Sequence, residues 1–332
     1  MTKSSGKKLR TGESGKACEK QIERLDREIV RLLNERAKWV VRQLEADVGT
    51  ARGPALSEQA FSVWQQANKG PLTEAVLRTV FRDIESGCRG LVGPTRVAYL
   101  GPADSYSHQA AIEKFGASAQ LAPVTTIAAV FEELRLGHAD LGLVPIENST
   151  DGRVVDTLDM FAKFPVRICG EVQLRIHHNL LARCARGDIR ELYSKPQALS
   201  QCRDWISRHL PGVRVVEMAS TAAAAQLAAE KPGAAAIASR QAALTYGLDV
   251  LADNIEDNKS NVTRFAVIGG TMPRRTGNDK TALMFELAHR PGSLADAMSV
   301  FKRGGLNLTW IESFPMPGPK KEYLFFVEIE GH

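Results

Sequence analysis

Leu141-Gly142-Leu143-Val144-Pro145-Ile146-Glu147-Asn148-Ser149-Thr150-Asp151-Gly152 is an apolar run that opens directly into a polar turn ending on glycine. Short apolar runs bounded by polar and glycine-rich turns read as buried strands. The same reading applies at Arg96–Leu100, Val213–Glu217, Ala234–Ala238 and Arg264–Ile268. Helical patterns lie between them, starting near Ser107, Thr126, Gly152, Pro196, Thr221 and Ser239. Strands alternating with helices predict an α/β unit with mostly parallel sheets. Ligands bind such sheets at the carboxyl ends of the strands. The polar loops at those ends are Gly101–Ser107, Pro145–Gly152 and Ala219–Thr221, and the pattern predicts that they converge on one cleft.

On the amino-terminal side, residues 17–90 read as helical. Ile22, Leu25, Ile29, Leu32, Leu33, Val40, Val41 and Leu44 recur at three- and four-residue steps and form one stripe, with Arg36 inside it. After a break at Gly49–Pro54, Phe61, Val63 and Trp64 suggest a shorter helix. Pro71-Leu72-Thr73 caps a third, whose apolar side is Val76, Leu77, Val80, Phe81 and Ile84. Three such helices bury little alone, so the long first helix is expected to pair with a second copy of the chain. Gly87–Pro94 and Gly269–Lys280 read as linkers. Beyond the second, Thr281–Leu287, Ser293–Lys302, Asn307–Phe314 and Glu322–Ile329 give a β-α-β-β order. A full ferredoxin-like unit takes one more helix and strand.

The chain has 332 residues and a net charge of +5. Six of its cations and only two of its carboxylates fall in residues 1–20, so the folded remainder is nearly neutral. That balance speaks against a nucleic-acid face, and residues 1–16 read as a disordered basic tail. No apolar segment of signal-peptide or membrane-span length is present, so no membrane partner is expected. The five cysteines are scattered and never form a C-x-x-C pair, which fits a reducing cytoplasm and neither a disulfide framework nor a zinc site. Neither His177-His178 nor any other histidine has metal-ligand spacing with a carboxylate.

Several polar groups are candidates for chemistry. The Pro145–Gly152 run offers side-chain and backbone donors for an anion, or else a turn in which Ser149 or Asp151 caps the next helix. Ser220-Thr221 opens an alanine run and reads either as an N-cap or as a carboxylate holder at a helix amino end. His108 reads as structural or exposed rather than as a general base. Thr263 opens an apolar strand, which by itself is ordinary β-propensity. Its surroundings are less ordinary, because Glu256, Asp257, Asn258, Ser260 and Asn261 load the preceding loop. If Thr263–Phe265 is a regular strand, Thr263 and Phe265 share a face and Arg264 points away to brace another element. Gly269-Gly270 runs into Pro273 and is no phosphate loop.

Four runs taken together resemble the prephenate dehydratase family: VAYLGPADSYSHQAA at 97–111, GLVPIENSTDGRVVDTLDM at 142–160, STAAAA at 220–225 and IEDNKSNVTRFAVIG at 255–269. The resemblance covers residues 96–269 in order. It departs at Asp104, where the family pattern has glycine. The resemblance implies a two-lobed, periplasmic-binding-protein-like α/β fold over residues 95–270. It implies prephenate as substrate, converted to phenylpyruvate, carbon dioxide and water without a cofactor or metal. It makes Thr263 the proton donor. The implied substrate-binding set is Ser105, Glu147, Asn148, Ser149, Thr150, Ser220, Thr221, Asn261 and Phe265, with Asn148, Ser149 or Asn261 helping to return the proton. A bifunctional chorismate mutase/prephenate dehydratase with a working mutase remains an alternative, as do arogenate as substrate and a ligand-sensing protein without chemistry.

The flanks carry resemblances of their own. Residues 17–90 resemble a helical chorismate mutase, in which Arg36 matches a substrate-binding arginine. Glu19, Asp47 and Leu56-Ser57-Glu58 stand where that pattern has cations or an Arg-Glu pair. Chorismate is a dianion, so these exchanges predict little mutase activity and a segment kept for dimer or tetramer formation. Residues 281–332 resemble an ACT domain, an α+β ferredoxin-like unit that senses L-phenylalanine. Its expected effector residues are Gly292, Ser293, Leu294, Asn307, Leu308, Glu312 and Ser313. Phe314 stands where the pattern has arginine, and the unit looks incomplete by one helix and one strand.

Overall fold

The computed structural model describes residues 13–46, 58–150, 152–273, 275–315 and 323–332. The amino-terminal part is helical: α1 (Glu13–Ala46), α2 (Glu58–Ala67) and α3 (Glu74–Gly90). Thr73 caps α3 by accepting from Val76 N–H, and Trp64 of α2 stacks on Phe81 of α3 at 4.1 Å between ring centres. Residues 13–16, expected in the tail, are instead the first turn of α1; the tail residues 1–12, the break at 49–54, and Asp47 and Leu56-Ser57 lie outside the described residues. The first half of the expected linker also proves helical. The last turn of α3 is anchored, because Ser86 Oγ accepts from Ser118 N–H at 3.2 Å, and this holds Gly87 and Gly90 in the helix.

The central part has two sheets. In the first, the strand order is β2 (Gln120–Val124), β1 (Arg96–Leu100), β3 (Leu141–Asn148), β11 (Val262–Gly269) and β5 (Arg167–Arg175), with β4 (Gly152–Arg153) hairpinned on β3. Its helices are α4 (Tyr106–Phe115), α5 (Ile127–Arg135) and α6 (Val155–Lys163). The second sheet runs β10 (Asp249–Ala252), β6 (Asn179–Ala182), β9 (Ala234–Ala238), β7 (Glu191–Ser194) and β8 (Arg214–Glu217). It carries α7 (Pro196–Gln201), α8 (Arg203–His209), α9 (Thr221–Glu230) and α10 (Arg240–Tyr246). Each sheet with its helices forms a lobe. All five expected strands and six expected helix starts are present, one of them displaced: the helix expected near Gly152 begins at Val155.

The expectation of mostly parallel sheets needs correction. β11 is antiparallel to both β3 and β5, and β6 is antiparallel to both β9 and β10. The chain leaves the first sheet after β5 and returns to it at β11, so the returning strand enters against its neighbours' direction. Packing explains two unusual stretches. Ala234–Ala238 is a fully buried strand although alanine favours helix, because its small side chains pack against the alanine face of α9. Gly142 is required where α5 crosses β3: a Cβ there would lie 2.7 Å from Val130 Cγ1 and 2.9 Å from Ile268 Cγ1.

The third sheet is β12 (Lys280–Leu287), β14 (Tyr323–Glu330) and β13 (Leu308–Pro315), all antiparallel, with α11 (Ser293–Arg303). This is the β-α-β-β order read from the sequence. Phe326, Trp310 and Phe314 join the apolar layer formed by Ala98, Phe131, Val144, Phe161 and Ile268 of the first lobe. Phe314, the exception to the expected arginine, is therefore packed in this seam.

An ion cluster closes the same seam. Arg264 donates to Glu147 Oε2 (2.7 Å), Glu171 Oε2 (2.8 Å) and Glu328 Oε1 (3.0 Å). Arg153 adds a second bond to Glu147 at 3.0 Å and lies 3.7 Å over the Trp310 ring. Arg264 thus points away from Thr263 and braces β3, β5 and β14, as strand alternation predicts. Burial opposes charge on Arg264, but its three carboxylates outweigh that and hold the guanidinium ionised. For Glu171, burial alone raises the pKa, and the bonds from Arg264 and Gln173 bring it below its ordinary value of 4.5. Arg264→Ala leaves Glu171 and Glu328 partly buried without their cation and Glu147 with Arg153 alone, and is expected to cost about 3–5 kcal/mol in urea unfolding. A carboxylate with a lowered folded pKa stabilises above its unfolded value. Wild-type stability should therefore decline as pH falls below 4.5, with a smaller decline in Arg264→Ala.

Candidate active site

Thr263 sits at the start of β11, opposite Asn148 at the end of β3. Asn148 Nδ2 donates to Thr263 Oγ1 at 2.8 Å and to Asn261 Oδ1 at 3.0 Å. The direction of this amide is fixed from behind, since its Oδ1 accepts from Thr150 N–H at 2.9 Å. A backbone N–H only donates, so the Asn148 amide nitrogen must face Thr263. The Thr263 hydroxyl accepts from Asn148, and among the described residues it donates to no protein acceptor. Its hydrogen is available to a ligand.

The network continues inward. Asn261 Nδ2 donates to Gln201 Oε1 at 2.9 Å, and His178 Nε2 approaches the same oxygen at 2.8 Å. Asn148 and Asn261 are 7% and 2% exposed, so both support Thr263 from the protein interior. Ser149 is used by the turn: its Oγ accepts from Val262 N–H (2.9 Å) and donates to the Ser260 carbonyl (3.3 Å). It does not cap α6, whose N-cap is Val154; Asp151 lies outside the described residues. Asn148, Ser149, Thr150, Asn261 and Thr263 are thus brought together. Gln201 joins them from the second lobe and was not expected, since nothing in the Pro196–Cys202 run marks it apart from a helix end.

Other expected residues are placed elsewhere. Pro145–Asn148 is strand, so the expected loop is shorter than read. Glu147 is corrected from substrate binding to the Arg264 cluster, because neighbours on a strand face opposite ways and Asn148 takes the Thr263 side. Phe265 does share the Thr263 side, but at 2% exposure it packs with Tyr99, Leu143, Val172 and Leu174 in the core instead of lining a pocket. Ser105 and Ser220 cap α4 and α9 by accepting from His108 N–H (3.3 Å) and Ala223 N–H (3.0 Å), and Thr221 is buried in the first turn of α9. Their hydroxyls do not join the Thr263 network. His108 is structural: its Nδ1 accepts from Asp104 N–H at 3.0 Å and its ring stacks on Tyr99.

Asp104 keeps the turn that glycine makes in the family pattern. Its φ is +62°, in the left-handed region, which aspartate tolerates better than most residues. Its carboxylate accepts from Thr245 Oγ1 at 3.0 Å, a contact between the lobes. At the amino end, Arg36 of α1 pairs with Glu85 of α3 and donates to Cys88 Sγ at 3.4 Å. In the third sheet, Gly292 (φ +87°) precedes α11, Ser293 Oγ accepts from Arg290 Nε, and Leu294 is exposed. Asn307 and Leu308 lie at the opposite end of that sheet, since Leu308 pairs with Ile329 whereas the end of β12 pairs with Tyr323. Glu312 and Ser313 are on β13 between the two ends. Within one chain the expected effector residues are therefore not a single cluster.

The family model of prephenate dehydratase matches residues 97–273. The chain belongs to the prephenate dehydratase family. A bifunctional chorismate mutase/prephenate dehydratase of Aquifex aeolicus is 42% identical over 325 residues, covering 96% of this chain and 90% of that protein. The structure of a prephenate dehydratase from Arthrobacter aurescens in complex with L-Phe is similar at TM-score 0.68 and 35% identity, covering 72% of this chain and 81% of that one. A structure described as GqqA, a novel type of quorum quenching acylase, is similar at TM-score 0.64 and 29% identity, over 71% of this chain and 88% of that one.

Within this family member, Asn148 is the residue on which the geometry of the site turns. Asn148→Leu leaves Asn261 Oδ1 without its donor and Thr150 N–H without its acceptor. It is expected to cost about 1–3 kcal/mol in denaturant unfolding, the penalty for such orphaned groups.

Proposed function

We propose that this chain is a prephenate dehydratase in which Thr263 is the proton donor. The observation that carries the reading is the one-way hydrogen bond from Asn148 into Thr263 Oγ1, which leaves the hydroxyl hydrogen for the substrate. The C1–carboxylate bond of prephenate breaks to release carbon dioxide, its electron pair completes the aromatic ring, and the C4–oxygen bond breaks. The leaving hydroxyl takes a proton from Thr263 and departs as water. Aromatisation drives the step, so a weak acid held in place suffices. The Asn148 N–H pointing at Oγ1 stabilises the negative charge left there until solvent returns the proton. Amino ends of α4 and α9, with Ser105, Ser220 and Thr221, are the proposed anchors for the substrate carboxylates.

The proposed division is a chorismate mutase-like helical segment at 17–90, a two-lobed, periplasmic-binding-protein-like dehydratase at 95–270 and an ACT domain at 281–332. The L-Phe complex of the Arthrobacter aurescens relative supports L-phenylalanine as the effector here. Aliphatic residues on α1, among them Ile22, Leu25, Ile29 and Leu32, are about half exposed in a single chain. That stripe supports a homodimer, here placed in the cytoplasm; among the described residues no helix is long and apolar enough to cross a membrane.

Thr263→Ala is expected to lower kcat for phenylpyruvate formation by about 100-fold or more, the usual worth of a positioned proton donor. Thr263→Ser should retain much of the rate. Near-wild-type turnover by Thr263→Ala, followed by absorbance, sinks the assignment. A second expected outcome concerns the helical segment. Arg36 is already paired with Glu85, and in sequence Glu19 and Asp47 stand where the mutase pattern has cations for a dianion. Purified chain should therefore consume chorismate far more slowly than prephenate, and comparable rates of the two would overturn the proposed loss of mutase activity.

A further inference from the structure

The chain crosses between the lobes twice, at 176–178 and at 253–261, and the crossovers are tied together around His178. His178 N–H donates to Glu256 Oε2 at 2.9 Å, and Ile255 N–H donates to the His178 carbonyl at 2.8 Å. Glu256 Oε1 pairs with His177 Nδ1 at 3.0 Å. The His178 ring itself is 2% exposed and meets Tyr106 edge to face. Both its nitrogens are engaged: Nδ1 lies 2.9 Å from Tyr106 Oη, whose one hydrogen is also within reach of the His177 carbonyl at 2.9 Å, and Nε2 lies 2.8 Å from Gln201 Oε1. Burial pushes its pKa below the ordinary histidine value, so the ring is neutral and carries one hydrogen. Its partners decide which nitrogen holds that hydrogen.

The polarity can be followed from a group that cannot reverse. Thr150 N–H donates to Asn148 Oδ1, Asn148 Nδ2 donates to Asn261 Oδ1, and Asn261 Nδ2 donates to Gln201 Oε1. Gln201 Oε1 is thus an acceptor, and Nε2 of His178 must bring the hydrogen. With the hydrogen there, Tyr106 turns its own from the His177 carbonyl to Nδ1; a hydrogen on Nδ1 instead would leave Tyr106 with His177 but set two lone pairs against each other at 2.8 Å within the amide chain. Turning the Gln201 amide to relieve this would oppose its nitrogen to that of Asn261. Each further turn passes the clash along until Asn148 opposes Thr150 N–H. By then Asn148 offers its carbonyl oxygen to Thr263, and the threonine hydrogen is drawn into the protein.

We infer that His178 is a positioning residue for the dehydration: donating from Nε2 to Gln201, it locks the Gln201–Asn261–Asn148 amides in the one direction that leaves the Thr263 hydrogen facing substrate. This rests on Thr263 being the proton donor. His178 touches neither Thr263 nor, by its burial, the substrate, so its effect is on kcat and not on KM.

Two measurements on the full-length protein test it. In 15N-histidine-labelled wild type, long-range 1H–15N spectra should show His178 as the neutral form protonated at Nε2; protonation at Nδ1 alone overturns the inference, whatever the variants do. In steady-state assays with prephenate, His178→Phe keeps a ring of similar bulk but loses the donor. Its kcat should fall by about 10-fold with KM changed by less than about 2-fold, the scale of one lost positioning hydrogen bond. His178→Gln can again donate to Gln201 and should recover most of the loss. A folded His178→Phe with kcat within about 2-fold of wild type overturns the inference alone. So does a folded His178→Gln as slow as His178→Phe. Wild type inert towards prephenate withdraws the dehydratase reading and this inference with it.

Discussion

β11 lies antiparallel between β3 and β5, hydrogen-bonded along both edges, and that register organises almost every functional contact in the chain. Successive residues of a strand face opposite sides. Thr263 therefore meets Asn148 on one side of the sheet, and its neighbour Arg264 meets Glu147, Glu171 and Glu328 on the other. A slip of one residue would exchange the two faces, putting a threonine among three carboxylates and an arginine beside a buried amide. The ion cluster penalises that slip strongly, because a carboxylate buried without its cation is costly. A bulge between Arg264 and Phe265, opposite Pro145-Ile146, lets the ladder tolerate the proline's missing donor without disturbing the Thr263–Asn148 pair.

Much of this was legible in the sequence because periodicity and turn chemistry are local. The helix starts at Thr126, Ser220 and Ser239 follow from side chains that accept from a backbone N–H three residues on. The β-α-β-β order of the third sheet follows equally from short-range pattern. Strand direction does not, because it depends on where the chain re-enters a sheet after more than 80 residues spent elsewhere. Strands β6 and β7 are four residues long and largely buried, which gives no alternation to detect.

The candidate site divides the same way. Thr263, Asn148 and Asn261 were found because they stand in two polar runs that the sheet register joins. Glu147 and Phe265 belong to those same runs, yet one sits on the opposite face and the other beneath the site, a distinction that only the side a residue faces can make. Ser105 and Ser220 show how a good cap and a good anion ligand have the same local sequence. Gln201 is not singled out by the sequence, and His178 is read there only for metal-ligand spacing, because their importance lies in which way an amide dipole points, and this depends on partners 23 and 60 residues away in the chain.

The Arg264 cluster has a further consequence. Glu328 belongs to the third sheet, whereas Arg264 is the peptide neighbour of Thr263, so the two regions share one set of charge-assisted bonds. Free energy is a state function, which makes the connection symmetrical. If a ligand on the third sheet shifted Glu328 relative to Arg264, it would change the affinity of a ligand at Thr263 by some factor, and the second ligand would change the affinity of the first by that same factor. The ceiling on that factor is the loss of the Glu328 bonds alone, since Glu147 and Glu171 still hold Arg264 and Arg153 still holds Glu147.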